Sequence, residues 1–363
     1  MKFLLISPKN RTVYNFRGEL VKSIIAKGYE VIVTGPDNTD VEKITELGAR
    51  FFIVPVNKNG TSILGDIKYC HKLFKLIKKE RPDVTLGYTI KPVIYGAIAA
   101  KLAGVKNINS MITGAGYVFL TKSIVSIIAK MLYKFGLSCA DNVIFQNKDD
   151  LKEFTEKKLV KSAKCSIVNG SGVNLDHFSV SDYPENISFF MLSRFLKSKG
   201  VREYLKAAKI VKEKHPNVVF YLLGKYEYDM QDAIPQDEIE RYINDGTIQR
   251  FDETNDVRPY YAMSSVYVLP SYREGTPRTV LEAMATGRAV ITTDAPGCRE
   301  TVVDGVNGYL VPVADAQAVA DRVLRFIDNP SLITSMGAES LAYVKQKFDV
   351  NVVNDNMMKI MNI

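Results

Sequence analysis

The stretch 266–301, VYVLPSYREGTPRTVLEAMATGRAVITTDAPGCRET, decides the fold. Its first four residues are an apolar, β-branched and aromatic run that reads as a strand. A loop of Pro, Ser, Gly and charged residues follows. Thr276 then stands where it can cap a helix whose first position is Pro277, a strong start signal. A second β-branched run at 289–292 reads as the next strand. Strand, loop, helix and strand in this order form the repeating unit of a parallel sheet.

The same alternation fills the chain in both directions. Strands are predicted at 2–6, 30–33, 50–54, 84–87, 107–111, 142–145 and 165–168, with helices between them. The segment 178–186, FSVSDYPEN, is polar, contains Pro184 and has no period, so a break is expected there. A second set of strands follows at 187–192, 218–223, 247–251, 266–269, 289–292 and 308–311, with helices after Gly200, Pro235, Asn255, Pro277 and Asp315. Residues 331–363 read as two helices separated near Phe348 and Asp349. The fold class is α/β, with two Rossmann-like domains at 1–180 and 187–345 and a tail, 346–363, expected to cross back to the first. There is no internal repeat.

At 363 residues and 46% hydrophobic content the chain is too long for one ordinary core, and two domains imply a cleft. The opening residues lack the apolar region of a secretory signal, so a cytoplasmic location is expected. The most apolar stretch, 119–137, is broken by Lys122, Lys130 and Lys134 and falls short of the roughly 18 apolar residues that span a bilayer. Cys70, Cys139, Cys165 and Cys298 lie far apart without a CxxC pair, so neither a zinc site nor a disulfide framework is indicated. A net charge of +8 and a pI near 9.0 call for an anionic partner: nucleic acid, acidic lipid or a diphosphate. Charge alone does not choose among them.

Ligands of open α/β sheets bind beyond the carboxyl ends of the strands. After the strand at 187–192 comes Ser193-Arg194-Phe195-Leu196-Lys197-Ser198-Lys199-Gly200, which sets a guanidinium and an ammonium five residues apart ahead of a helix. That arrangement suits a diphosphate, through a forked Arg contact, a Lys point charge and the helix N-terminus; a solvated basic turn is the alternative. In Pro270-Ser271-Tyr272-Arg273-Glu274-Gly275-Thr276-Pro277, Gly275 permits close backbone approach to a ligand, and Glu274 and Glu282 form a spaced carboxylate pair. The pair can bond sugar hydroxyls; otherwise Glu274 favours the helix dipole and Glu282 is exposed. A third loop, Thr293-Asp294-Ala295-Pro296-Gly297-Cys298-Arg299-Glu300, brings another glycine, arginine and glutamate towards the same edge.

These residues resemble glycosyltransferase family 4, whose members have the GT-B fold. Glu274 and Glu282 match its E-x7-E motif, and Arg194 with Lys199 its R-x4-K diphosphate clamp. The strings REGTPRTVLEA, ITTDAPGCRETV and DGVNGYLVP look especially like the subgroup that extends capsule, O-antigen and other undecaprenyl-linked glycans in polysaccharide biosynthesis. Tyr14-Asn15-Phe16-Arg17, Thr89-Ile90-Lys91-Pro92 and Thr113-Gly114-Ala115-Gly116 extend the likeness through the first half. The resemblance implies a retaining transferase that uses a nucleotide-sugar, UDP by default, with an undecaprenyl-diphosphate-linked acceptor. Arg194 and Lys199 would then stabilise the charge that develops on the leaving diphosphate, Glu282 would bond the ribose, and Glu274 with the N–H groups around Gly275, Thr276 and Pro277 would hold the hexose. Many members carry a histidine in the first-domain cleft; here His71, His177 and His215 all read as ordinary helix or loop residues. No Asp-x-Asp occurs, so metal independence is expected, and no cofactor is implied.

In the first domain Asn15, Arg17, Lys91 and Gly116 are candidates for the acceptor, with helix capping by Asn15 and a solvated Lys91 as the alternatives. Gly114-x-Gly116 lacks the third glycine of a dinucleotide fingerprint. Along 121–136, Lys122, Ser126, Lys130 and Lys134 recur every four residues on an otherwise apolar segment. Such a helix either docks peripherally at an anionic membrane or lies in a core with snorkelling lysines. An epimerase or phosphorylase of the same fold is a competing reading, which the two motifs oppose. A nucleic-acid-binding protein would need clustered basic residues with interleaved aromatics, and here they are scattered.

Overall fold

The computed structural model of the protein describes residues 1–57, 60, 62–115 and 124–363. Internal packing divides them into two units, Met1–Ser171 with Val350–Ile363 and Gly172–Asp349.

In the first unit, β1 (Lys2–Ile6), β2 (Glu30–Gly35), β3 (Arg50–Ile53), β4 (Val84–Tyr88), β5 (Asn107–Ile112), β6 (Asn142–Phe145) and β7 (Cys165–Ile167) form one parallel sheet in the order β3-β2-β1-β4-β5-β6-β7. The helices follow the connections: α1 (Asn10–Ala26), α2 (Val41–Thr45), α3 (Ile63–Glu80), α4 (Ala97–Ala103), α5 (Ile124–Cys139) and α6 (Lys148–Glu156). A π-helical turn, Pro92–Gly96, leads into α4. Helical spacing explains which faces are buried. Val13, Leu20, Val21 and Ile24 of α1 cover one side of the sheet, and Tyr69, Leu73 and Ile77 of α3 cover the other with the π turn, α4 and α5. The oxygen of Ser62 caps α3 by accepting from Gly65 N at 3.2 Å.

In the second unit, β8 (Ser188–Leu192), β9 (Val219–Leu223), β10 (Gln249–Phe251), β11 (Val266–Leu269), β12 (Ala289–Thr293) and β13 (Gly308–Val311) form a second parallel sheet, ordered β10-β9-β8-β11-β12-β13. Around one core stand α7 (Val201–Lys212), α8 (Gln236–Asn244), α9 (Arg258–Ala262), α10 (Arg278–Ala285), α11 (Ala316–Asp328) and α12 (Ser331–Lys347). The last helix, α13 (Val350–Ile360), returns to the first unit. There Met357, Met358 and Met361 enter the core with α1, and Asn107 Nδ2 donates to Met361 O at 2.5 Å.

Each predicted strand is present among the described residues to within two residues at either end. Two local readings need correction. Helix α10 starts at Arg278 with Pro277 at its N-cap and no side-chain cap bond from that residue, so Thr276 is not the cap. The polar segment 178–186 is not a break between the units, which divide at Ser171 and Gly172. It is bound into the second unit by Arg288, fully buried, whose guanidinium donates to Ser181 O at 2.8 Å and Asp182 O at 2.7 Å. Tyr183 reinforces it by donating to Gly287 O at 2.5 Å.

Candidate active site

In both parallel sheets the strand order reverses once, between β1 and β4 and between β8 and β11. A crevice opens beyond the strand ends at such a switch point. In the second unit the loops leaving β8 and β11 are the ones that carry the two basic residues and Glu274, so the topology alone brings these motifs side by side. Ser271 Oγ lies 3.1 Å from Ser198 O, and Tyr272 N donates to the same carbonyl at 2.9 Å. Gly200, at φ +74°, lets the first loop sit against the second: a Cβ there would stand 2.0 Å from Pro270 O.

The stitched loops place the ammonium of Lys199 in a salt bridge with Oε1 of Glu274, both partly buried. Ser271 Oγ donates to the same carboxylate oxygen at 2.8 Å. Arg194 is exposed, with its guanidinium 3.8 Å from Glu227 Oε1. The structure therefore brings Lys199 and Glu274 together, and leaves Arg194 on the rim of the loop. Gly275 and Pro277 are buried, and Thr276 is half-buried between them.

Glu282 lies in α10 and is only 8% exposed, which removes the reading of an exposed carboxylate. Its two oxygens accept from Arg278 Nε at 3.0 Å and from the Tyr261 hydroxyl at 3.0 Å. Burial pushes its carboxyl above the usual range, against the pull of Arg278 and Tyr261. Arg278 and Tyr261 did not emerge as functional residues from the sequence. Arg278, one helical turn before Glu282, was legible as an i,i+4 pair; Tyr261, on α9, had no local signal.

The third loop departs from expectation. Arg299 Nε donates to Asp294 Oδ1 at 2.6 Å, and Glu300 Oε2 sits 3.7 Å from Lys347, so both charges are satisfied outside the Lys199 and Glu274 cluster. What the loop contributes is Gly297, at φ +79°, where a Cβ would stand 2.3 Å from Glu274 O. Pro296 O accepts from Glu274 N at 3.0 Å, which fixes the backbone that carries the carboxylate. Cys298 is buried, and burial first and the Glu274 charge second push its thiol up to about 12, so it stays protonated at neutral pH.

At the β1 and β4 switch point of the first unit, Lys91 is 9% exposed and salt-bridged to Asp66 Oδ1 at 2.5 Å, so it is not a solvated lysine. Tyr95 donates to Asp66 Oδ2 at 2.9 Å. Thr89 holds φ +66°, rare for a threonine, at the start of this loop. Arg17 is 3% exposed, donates to Ser171 Oγ at 2.8 Å and stacks over Tyr88, so it is built into the framework. Asn15 is half-buried within α1, which begins at Asn10, so it is not a helix cap. Gly116 and Lys122 lie outside the described residues. His71 and His177 are exposed and His215 follows α7, so none of the three stands at a strand end.

The basic stripe of α5 is not an exposed stripe. Ser126 is 1% exposed and Lys130 half-buried, while Ile124, Val125, Ile127, Ile128, Met131 and Phe135 face solvent beside Lys134. Among the described residues no helix is long and apolar enough to cross a membrane.

A family model described as "Glycosyl transferase 4-like" matches residues 2–147, and one described as "Glycosyl transferases group 1" matches residues 174–341. The N,N'-diacetylbacillosaminyl-diphospho-undecaprenol alpha-1,3-N-acetylgalactosaminyltransferase of Campylobacter jejuni is 23% identical over 99% of this chain and 98% of its own. The UDP-Gal:alpha-D-GlcNAc-diphosphoundecaprenol alpha-1,3-galactosyltransferase of Escherichia coli is 29% identical over 78% of this chain and 76% of its own. The crystal structure of HepE from Anabaena in complex with UDP-glucose superposes with a TM-score of 0.82 at 17% identity, covering 100% of this chain and 99% of that one. Two Rossmann-like units, one under each family model, make this a GT-B architecture, and the chain belongs to the family 4 and group 1 glycosyltransferases.

Proposed function

We propose that the protein transfers a hexose or N-acetylhexosamine from a UDP-sugar to a saccharide carried on undecaprenyl diphosphate, with retention of configuration and without a metal ion. The observation that carries this is the salt bridge between Lys199 and Glu274 across the two loops of the β8 and β11 switch point, with Glu282 buried in α10 of the same unit. The relatives from Campylobacter and Escherichia coli, whose names specify such acceptors, support the substrate class.

In this reading the donor diphosphate takes Lys199 as its counter-ion and Arg194 closes on it from the rim. Glu274 is released to the hexose hydroxyls, and backbone N–H groups at Gly275, Thr276 and Pro277 complete the sugar site. Glu282, held by Arg278 and Tyr261, accepts from the ribose. The bond from the anomeric carbon to the diphosphate oxygen breaks, the acceptor hydroxyl attacks on the same face, and its proton passes to the departing diphosphate. The positive groups act mainly on charge that grows as that bond breaks, so they lower the barrier instead of only tightening binding. Metal independence rests on the missing Asp-x-Asp pair and on these basic groups. Asn15, Arg17, Lys91 and Gly116 are assigned to the acceptor side, Arg17 through the framework. The protein is placed peripherally on the inner face of the cytoplasmic membrane, with Lys122, Lys130 and Lys134 contributing to docking.

The test is a thermal-shift screen of nucleotide sugars followed by transfer to an undecaprenyl-diphosphate saccharide, because a ligand that binds only the native state raises its melting temperature. Stabilisation by a UDP-sugar and a product of retained anomeric configuration are expected. A melting temperature indifferent to every UDP-sugar overturns the reading.

A further inference from the structure

The carboxyl edge of the first sheet holds a buried ion pair that the donor chemistry of the second unit does not use. Lys91 follows β4 and is buried, and Asp66, in the first turn of α3, is only slightly more open. Asp66 is the sole hydrogen-bond and ion-pair partner of the Lys91 ammonium among the described residues. Its other carboxylate oxygen accepts from the Tyr95 hydroxyl at 2.9 Å. Burial first and this bond second raise the pKa of Tyr95, so the hydroxyl keeps its proton and donates at neutral pH. Lys91 and Tyr95 are four residues apart, which brings both to one carboxylate across a single helical turn.

The backbone under the pair is strained and clamped. Thr89 holds φ +66°, and the turn that follows, Pro92–Gly96, is π-helical. Both conformations are costly and concentrate at functional sites. The turn is fixed from two sides: a Cβ on Gly87 of β4 would meet Pro92 O at 2.7 Å, and one on Gly136 of α5 would meet Ile94 Cα at 2.7 Å. Tyr69, buried and three residues after Asp66, stands edge-on to Tyr95 with ring centroids 6.4 Å apart. Its hydroxyl has no hydrogen-bond partner among the described residues, an unfilled polar group of the kind that a ligand or ordered water completes. A buried ion pair adds little to stability over apolar side chains of the same volume, so stability alone does not account for this one.

The chemistry of the pair selects its ligand. Its net charge is zero. A diphosphate brought to Lys91 would lie against the Asp66 carboxylate in a poorly hydrated place, where like charges repel strongly. A neutral polyol meets no such opposition. An ammonium has three N–H donors, of which Asp66 takes one, and each carboxylate oxygen accepts more than one bond. Spare donors and spare acceptors therefore stand side by side, as two neighbouring hydroxyls of a sugar ring require.

We propose that Lys91, Asp66 and Tyr95 form the subsite for the acceptor's sugar, in which Asp66 accepts from one ring hydroxyl and Lys91 donates to its neighbour while Tyr95 holds the carboxylate in place, and that the acceptor's diphosphate is bound elsewhere. The proposal rests on the reading of the acceptor as a saccharide and names the part of it that the buried pair recognises.

The experiment is a titration followed by saturation-transfer NMR on the full chain, with UDP in excess to occupy the basic groups of the second unit. The probes are methyl glycosides of glucose, galactose and their N-acetylamino forms, with inorganic pyrophosphate as the competing anion. The parent should bind at least one glycoside, and pyrophosphate should not displace it. Asp66→Asn should weaken that glycoside by about tenfold to a hundredfold, as a lost bond to a charged group does. The same variant should gain pyrophosphate binding, because Lys91 is left without its counter-charge. Tyr95→Phe keeps the ion pair, so it should weaken the glycoside by about threefold and gain no anion binding. Parent-like glycoside binding in Asp66→Asn, or in Tyr95→Phe where the first variant does not fold, overturns the proposal. So does a parent that binds no glycoside. Pyrophosphate that displaces the glycoside from the parent, and is itself lost in Lys91→Met, overturns it too, because the pair is then an anion site. If the glycosides behave as described but no UDP-sugar raises the melting temperature, the enzymatic reading fails and this one stands.

Discussion

Lys199 and Glu274, 75 residues apart, are joined by a salt bridge across the two loops at the β8 and β11 switch point. Each neutralises the other where a nucleoside diphosphate sugar is proposed to bind. The donor must therefore exchange partners with the pair, the phosphate taking the ammonium and a sugar hydroxyl taking the carboxylate. A site that holds its charges against one another avoids a partly buried, uncompensated ion while it waits.

Lys199→Ala should lower kcat by about a hundredfold to a thousandfold, with a smaller rise in donor KM, as expected for a group that offsets developing charge. Arg194→Lys should also lose activity, since an ammonium does not reproduce a forked guanidinium contact. Steady-state kinetics on variants verified by circular dichroism decide the matter. A Lys199→Ala enzyme with parental kcat and a higher KM would mean uniform binding.

Glu282→Ala should weaken donor affinity by about 1.5 to 3 kcal/mol in calorimetry, the value of a hydrogen bond to a charged group. Tyr261→Phe should weaken it less, because Arg278 still holds the carboxylate. Unchanged affinity in the Ala variant would take Glu282 out of the donor site.

The raised carboxyl of Glu282 also fixes a pH dependence. A group that holds its proton more tightly when folded contributes stability at acid pH and loses it as pH rises through the raised value. Glu282→Gln lacks that loss, so its melting temperature should gain on the parent's between about pH 4 and 8, a span that brackets ordinary carboxyl titration. A gap that grows in the parent's favour over the same span would show that the Arg278 pair outweighs burial.

Transfer should survive EDTA, given that the sequence has no Asp-x-Asp pair. Turnover abolished by chelation and restored by Mg²⁺ or Mn²⁺ would refute metal independence.

Gly200→Ala and Gly297→Ala should each destabilise the second unit. Both replace a glycine at positive φ, which costs about 1 to 2 kcal/mol before the backbone clash is counted. Their donor-induced thermal shifts should shrink as well, since both glycines set the position of the loops that carry Lys199 and Glu274. Parental melting and parental shifts would show that these loops reach the same geometry by another route.

The strands were legible because buried parallel strands are short β-branched runs that differ plainly from their helices. The site loops were legible for a related reason, since strand ends locate the functional edge. Errors arose where tertiary contacts overrode local signals. Residues 178–186 look like a linker until Arg288, more than a hundred positions away, is seen to bind their carbonyls. The four-residue period on α5 was real, but a period does not say which face turns inward, and buried Ser126 sits on the lysine stripe.

The chain leaves the first unit at Ser171 and re-enters it at Val350. During synthesis, then, one side of the first sheet stays uncovered by Met357, Met358 and Met361 until the whole second unit has emerged from the ribosome. The first unit is begun early and sealed late, and cutting the chain once at Ser171 would yield an N-terminal fragment with apolar surface still open to water.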